Sequence, residues 1–258
     1  MPYAETGQVS LYYEEAGQGA VPVVLLPELG GTSESWRRVI PLLATSRRVI
    51  APDPRGTGRS EKRPGGFEID DVADDVAGLL NALGVDRADV LGSALGSLAG
   101  AVLARRHPCL VRRLVLCAVA DDQSGRTAAY LSERAARVRR EGMRAVADAS
   151  LANAFPEAFA AERAAYRPIY IGNDPAAYAE MSLALMRLRM GTAAWGAIQA
   201  PVLVAPGRHD FIWPPPLGQR VAEQIPGARF TVLEDAGHFP HMQTPEAVVE
   251  IAEAFLAG

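Results

Sequence analysis

The chain has little of what would assign it to several function classes. Its 258 residues hold two cysteines, Cys109 and Cys117, with no C-x-x-C spacing. That excludes a disulfide framework and a zinc ribbon. Lys62 is the only lysine, the net charge is −4, and no Lys/Arg tract stands out, so a basic nucleic-acid footprint is excluded. The preference for Arg over Lys reads as codon bias and carries no chemistry. No apolar run reaches the roughly 18 residues of a membrane span. The opening MPYAETGQVS has neither the basic start nor the apolar core of a signal peptide, so a cytoplasmic location is expected. There is no H-E-x-x-H, and no G-x-G-x-x-G opens a helix after a strand, so neither metal nor organic cofactor is expected. The expected partner is a small-molecule substrate, with no nucleic acid and no membrane. Oligomeric state is not legible.

What is present is a chain long enough for one large domain, or one core with an insertion, without a covalent or metal staple. Short apolar runs at Val9–Tyr13, Val21–Leu26, Arg48–Pro52, Ala88–Leu91, Leu114–Ala118, Pro201–Ala205 and Arg229–Leu233 read as strands. Between them lie segments of helical period: Phe67–Leu83, with apolar residues at 69, 72, 73, 76, 79, 80 and 83, then Leu95–Arg106 and Pro245–Leu256. Strands alternating with helices imply right-handed crossovers and a mostly parallel, doubly wound α/β sheet. Residues 121–195 break the alternation with Ala/Arg-rich helical patterns such as Ala128–Val146 and Pro175–Leu188. An insertion there would lie over the strand C-terminal ends, where open α/β sheets bind ligands. The expected division is a core of 1–120 and 196–258 with a helical cap at 121–195.

One strand-to-helix junction carries a chemical signature. In Gly92-Ser93-Ala94-Leu95-Gly96, two glycines bracket position 94 in the G-x-nucleophile-x-G pattern, a sharp turn that lifts one side chain to the top of a sheet. The amide of Leu95, at the helix start, would face a developing oxyanion. The apex residue is alanine and cannot attack. Ser93 and Ser97 lack bracketing glycines and read as packing or hydrogen-bonding residues.

With three further motifs, the whole chain resembles the α/β-hydrolase superfamily. Asp53-Pro54-Arg55-Gly56-Thr57-Gly58-Arg59-Ser60 matches that family's D-x-R-G-x-G-x-S turn, Pro201–Asp210 the strand that delivers the catalytic acid, and Glu234–His241 the loop that delivers the histidine. The order nucleophile, acid, histidine falls here at 94, 210 and 238. The resemblance implies an α/β-hydrolase fold in which His238 is general base and acid, and Asp210 fixes its tautomer. Asp121 and Asp122 are the rival acids. His241 and His209 are expected on the pocket wall and the surface, and His107 in a structural role.

By the same resemblance the second oxyanion donor is the amide of Leu29, in Pro27-Glu28-Leu29-Gly30-Gly31, where relatives usually carry His-Gly before the donor. Glu28 is the departure. Pointing into the pocket it would repel an oxyanion or act as an acid with a raised pKa; pointing outward it is a solvated carboxylate. The segment 137–149 and Ala184–Arg189 resemble the cap of 3-oxoadipate enol-lactonases, which implies a small ester, lactone or related acyl substrate. Arg187 or Arg189 would then pair with a substrate carboxylate.

Three explanations fit Ala94. It is an introduced substitution for serine in an ester or lactone hydrolase. Or it is native, and His238 with Asp210 activates water, as the G-x-A-x-G elbow of some carbamate or aminoacrylate hydrolases implies, or transfers protons without hydrolysis. Or the chain is a non-catalytic binder of a small ligand.

Overall fold

The computed structural model describes residues 2–63, 65–121 and 125–258. The described residues form an eight-stranded sheet: β1 Tyr3–Glu5, β2 Ser10–Ala16, β3 Val23–Leu26, β4 Val49–Pro52, β5 Ala88–Ser93, β6 Val111–Cys117, β7 Val202–Val204 and β8 Arg229–Phe230. Their order is β1-β2-β4-β3-β5-β6-β7-β8. β1 and β2 pair antiparallel, as do β2 and β4, and every later pairing is parallel. The parallel strands are short Val/Leu/Ile runs buried on both faces, because helices cover each side. Val24, Leu26, Ile50 and Val90 face one helical layer. Val23, Leu25, Val49 and Leu91 face the other, against Trp36, Leu43, Val248 and Phe255.

The covering helices follow from their sequence pattern. After α1 (Ile40–Leu43), α2 (Ile69–Ala82) opens on a reciprocal cap between Glu68 and Asp71 and buries its apolar stripe. α3 (Leu95–Arg106) begins directly at the turn after β5 and is buried along almost its whole length. Between β6 and β7 the described residues carry α4 (Gly125–Glu141), α5 (Arg144–Ala154), α6 (Ala160–Ile171), α7 (Pro175–Arg187) and α8 (Gly191–Gly196), and no strand. α4 packs along α7. α9 (Pro215–Gln224), α10 (Pro240–Gln243) and α11 (Pro245–Leu256) complete the chain.

Three expectations needed adjustment. β1 was not anticipated, because three residues with one buried side chain carry no period. The pattern over Ala128–Val146 is two helices, broken at Gly142. The run Arg229–Leu233 is a two-residue strand followed by a single bridge, Gly207 to Leu233.

The topology places the functional loops. β3 pairs with β4 on one side and β5 on the other, so the sheet's winding reverses there, and the crevice at such a switch point is where ligands bind. Leu26 is in register with Gly92, which sets the loop after β3 beside the turn after β5.

Candidate active site

The turn after β5 is held in a strained conformation. Ala94 has φ 50° and ψ −112°, a backbone that L residues adopt at a cost on the order of 1–3 kcal/mol. Its amide donates to Cys117 O at 2.9 Å, tying the apex to the end of β6. A Cβ on Gly92 would lie 2.4 Å from Gly96 O, and one on Gly96 would lie 2.0 Å from Leu26 O. Both positions therefore demand glycine through close backbone approach. Ser97 Oγ donates within reach of Gly92 O (2.9 Å) and Cys117 O (2.8 Å), pinning the same turn from inside. Ser93 is buried, and its hydroxyl has no partner among the described residues.

Asp210, in the loop after β7, and His238, in the loop after β8, meet at 2.8 Å between Oδ2 and Nδ1, both buried. The other carboxylate oxygen accepts the amides of Ile212 and Trp213, each at 2.8 Å. A carboxylate accepts, so the contact orients Nδ1 as the donor and leaves Nε2 as the ring nitrogen not engaged by Asp210. Trp213 stands edge-on to the imidazole, with centroids 5.4 Å apart, and Phe239 packs at 4.9 Å. Of the rival acids, Asp121 lines the cavity while Asp210 holds the histidine; Asp122 lies outside the described residues.

A cavity of about 450 Å³ lies between these loops and the helices of 125–196. Ala94, Leu95, Leu29 and His238 form its floor, and Leu131, Arg134, Leu151, Tyr170, Tyr178 and Leu185 are among the helical residues opposite. Among the described residues no backbone or side-chain acceptor engages the amides of Leu29 and Leu95. Asn173 Nδ2 donates to Gly30 O at 2.8 Å, fastening the loop after β3 to the turn between α6 and α7.

Glu28 follows neither expectation. Its carboxylate is buried, is not part of the cavity lining, and is not solvated. Ser35 Oγ donates to Oε1 at 2.8 Å, and His241 Nε2 sits 3.0 Å from Oε2, off the line of a good hydrogen bond. Burial alone would raise its pKa, but His241, the Tyr166 hydroxyl and the loop backbone together outweigh that and hold it below the ordinary carboxylate value, the reverse of a raised-pKa acid. His241 is likewise not a cavity-wall residue: it is fully buried, stacked on Trp36 at 4.2 Å. His209 is exposed, and His107 Nε2 meets Asp74 Oδ1 at 2.8 Å on the surface of α2.

The arginines also rearrange. Arg187 points away from the cavity, to Glu68 Oε1 (2.7 Å) and Phe67 O (2.8 Å). Arg189 lines the cavity but donates to Met186 O and Leu188 O. The better-placed cation is Arg134 on α4. It lies over the rings of Tyr130 (5.0 Å) and Tyr178 (5.7 Å), its Nε is buried without an acceptor, and among the described residues no carboxylate pairs with it.

The α/β hydrolase fold family matches residues 21–245. The chain belongs to the α/β-hydrolase family. A Variovorax paradoxus protein provisionally named carbamate hydrolase RutD is 35% identical over 248 residues, 92% of each chain. The same provisional name is carried by an Azorhizobium caulinodans protein, 31% identical over 260 residues, 99% of this chain and 98% of that one. Among solved structures, an enol-lactonase from Burkholderia xenovorans LB400 superposes with TM-score 0.92 at 31% identity over the full length of both chains. A malate-bound esterase from Thermogutta terrifontis gives 0.91 at 30% identity, covering 96% of this chain and 93% of its own.

For this α/β hydrolase, Arg134, Asn173 and the Tyr170–Tyr178 hydroxyl pair (2.5 Å apart) escaped sequence reasoning. Arg134 is one of several arginines on α4, and only the fold tells which one faces inward. Asn173 had a weak signal: it stands in Gly172-Asn173-Asp174-Pro175, turn material whose Asp174 caps α7.

Proposed function

We propose that this α/β hydrolase cleaves a small acyl compound by activating water directly on the His238–Asp210 pair, with Ala94 leaving the elbow without a nucleophile. The observation that carries this reading is the 2.8 Å Nδ1–Oδ2 contact in a cavity that Ala94 also lines. His238 Nε2 takes a proton from water, and the resulting hydroxide adds to the substrate carbonyl. Asp210 stabilises the imidazolium. The carbonyl oxygen, now an oxyanion, accepts from the amides of Leu29 and Leu95, the latter at the N-terminus of α3. Collapse of the tetrahedral adduct expels the leaving group, which takes the proton back from His238. Residues 121–195 serve as a cap over that chemistry, and 1–120 with 196–258 as the core.

Relatives named for carbamate hydrolysis support a carbamate or similar acyl substrate. The enol-lactonase and esterase neighbours keep esters and lactones within the class. Arg134 favours a substrate with an anionic substituent directed toward α4, since a guanidinium that meets only tyrosine rings and no carboxylate among the described residues gains most from a carboxylate.

The strained apex favours a second reading, a serine hydrolase in which alanine stands for the nucleophile. Hydrolysis of p-nitrophenyl acetate by this chain and by Ala94→Ser separates the two. Water activation expects steady turnover by the chain as it stands, abolished in His238→Asn, and no burst in Ala94→Ser. A burst of phenolate and a large rate gain with serine would overturn it in favour of the second reading.

A further inference from the structure

We propose that Glu28 and His241 form a positioning pair that locks the oxyanion loop to the histidine-bearing loop, so that the Leu29 amide and His238 keep one relative placement. The proposal rests on the hydrolytic reading of the cavity for its effect on rate, but its structural claim stands apart from that reading.

The chain positions make the case. Glu28 directly precedes Leu29, and His241, in α10, lies three residues after His238. Their contact, 3.0 Å between Nε2 and Oε2, joins segments far apart in sequence, beneath the cavity floor. Neither side chain has measurable exposure. Each end is also held within its own segment. Ser35 Oγ donates to Glu28 Oε1, and the same Ser35 Oγ accepts the Thr32 amide at 3.2 Å, closing the turn that follows the oxyanion loop. A Cβ on Gly31 would fall 2.3 Å from Glu28 Oε1, so the carboxylate is wedged against the loop backbone. On the other side, His241 is stacked on Trp36, and Gln243 Oε1 accepts the amide of Gly237 at 2.7 Å, which holds the start of the histidine loop.

The contact is expensive for a purely structural device. Glu28 Oε2, both His241 nitrogens, the Tyr166 hydroxyl and Trp36 Nε1 are all buried there without a well-formed hydrogen bond. An apolar pair would fill this space with less desolvation cost. What a polar contact supplies even off-axis, and an apolar one does not, is a specific partner: the buried carboxylate gains from this imidazole alone, which ties one loop to the other.

Breaking the contact should therefore move the oxyanion donor relative to the base while leaving the cavity walls in place. Displacements of about 1 Å in a catalytic constellation can cost on the order of 100-fold in rate. The experiment compares the wild type with Glu28→Gln, His241→Gln and the double variant, using p-nitrophenyl acetate turnover and amide hydrogen exchange over residues 27–31. Each single variant is expected to lower kcat by roughly 10- to 100-fold with KM within about twofold. The double variant is expected to lose no more than the worse single one, because one contact is being removed twice. Exchange at Leu29–Gly31 is expected to quicken in His241→Gln although that substitution is remote in sequence. Glu28→Asp keeps the charge but shortens its reach, so it should reproduce the same split and serves if an amide variant does not fold. Unchanged exchange at 27–31 in His241→Gln would overturn the proposal, as would multiplicative losses in the double variant. An inactive wild type would sink the hydrolytic reading alone, and the exchange comparison would still decide the pair.

Discussion

Two buried histidine–carboxylate pairs, their histidines three residues apart, differ in nearly everything except composition. Asp210 has all its oxygens engaged, by His238 and by two amides, and the far nitrogen of its partner belongs to a cavity-lining ring. Glu28 meets His241 off-axis, and the far nitrogen of that ring is buried without a partner. The lesson is that a carboxylate beside an imidazole is not in itself a catalytic unit. What the unshared nitrogen can reach assigns the role: substrate space in one case, packed protein in the other.

Breaking the first pair should have the largest effect. His238→Asn or Asp210→Asn is expected to lower kcat by about 10³- to 10⁴-fold, far more than any change at Glu28 or His241. Steady-state rates across the four variants check the ranking, and equal losses at both pairs would abolish the distinction.

The second pair should show itself more strongly in stability than the first does. Glu28→Gln is expected to lose about 1–3 kcal/mol at pH 7, since His241 then keeps no charged partner in a buried site. The pH dependence follows from the direction of the shift. Glu28 has a folded pKa below its unfolded value, so its ionised form contributes stability above the ordinary carboxylate range. That contribution fades as pH falls through the folded value. Urea midpoints of wild type and Glu28→Gln should therefore stay apart from neutral pH down to the ordinary carboxylate range and converge as pH falls below it. A gap that stays constant, or widens with acid, would contradict a lowered pKa.

A smaller effect is expected at a site that belongs to neither pair. Arg134→Gln should raise KM for a carboxylate-bearing ester about tenfold while leaving a neutral ester of the same length nearly unchanged. Similar KM changes for both esters would mean that Arg134 only packs. The smallest effect concerns the apex. Ala94→Gly should relieve the positive-φ strain yet add unfolded-state entropy, for a net gain within about 1 kcal/mol in thermal unfolding.

Much of the fold was legible because parallel strands in a two-sided sheet must be apolar throughout, and amphipathic helices must repeat every three to four residues. α3 and α11 were read with the bounds the structure gives, Leu95–Arg106 and Pro245–Leu256. Edge strands and the break at Gly142 were not, since neither leaves a periodic trace. At the candidate site, the residues carried on motif glycines and strand ends were nameable in advance: Ala94, Leu95, Asp210 and His238. Glu28 was recognisable as a departure, but its direction was not, because its partners come from residues 35 and 241. Arg134 was invisible for a related reason: a helix face acquires an inside only when another helix packs on it.

The hydrogen bond from Asn173 to Gly30 has a mechanical consequence. The helices above the cavity are not merely laid over it; they grip the backbone next to Leu29. If α6 and α7 swung aside to let a molecule in or out, that grip would release, and the amide proposed as an oxyanion donor would lose its anchor at the same moment. Access and readiness are thus geared together, so an open doorway goes with a disarmed site.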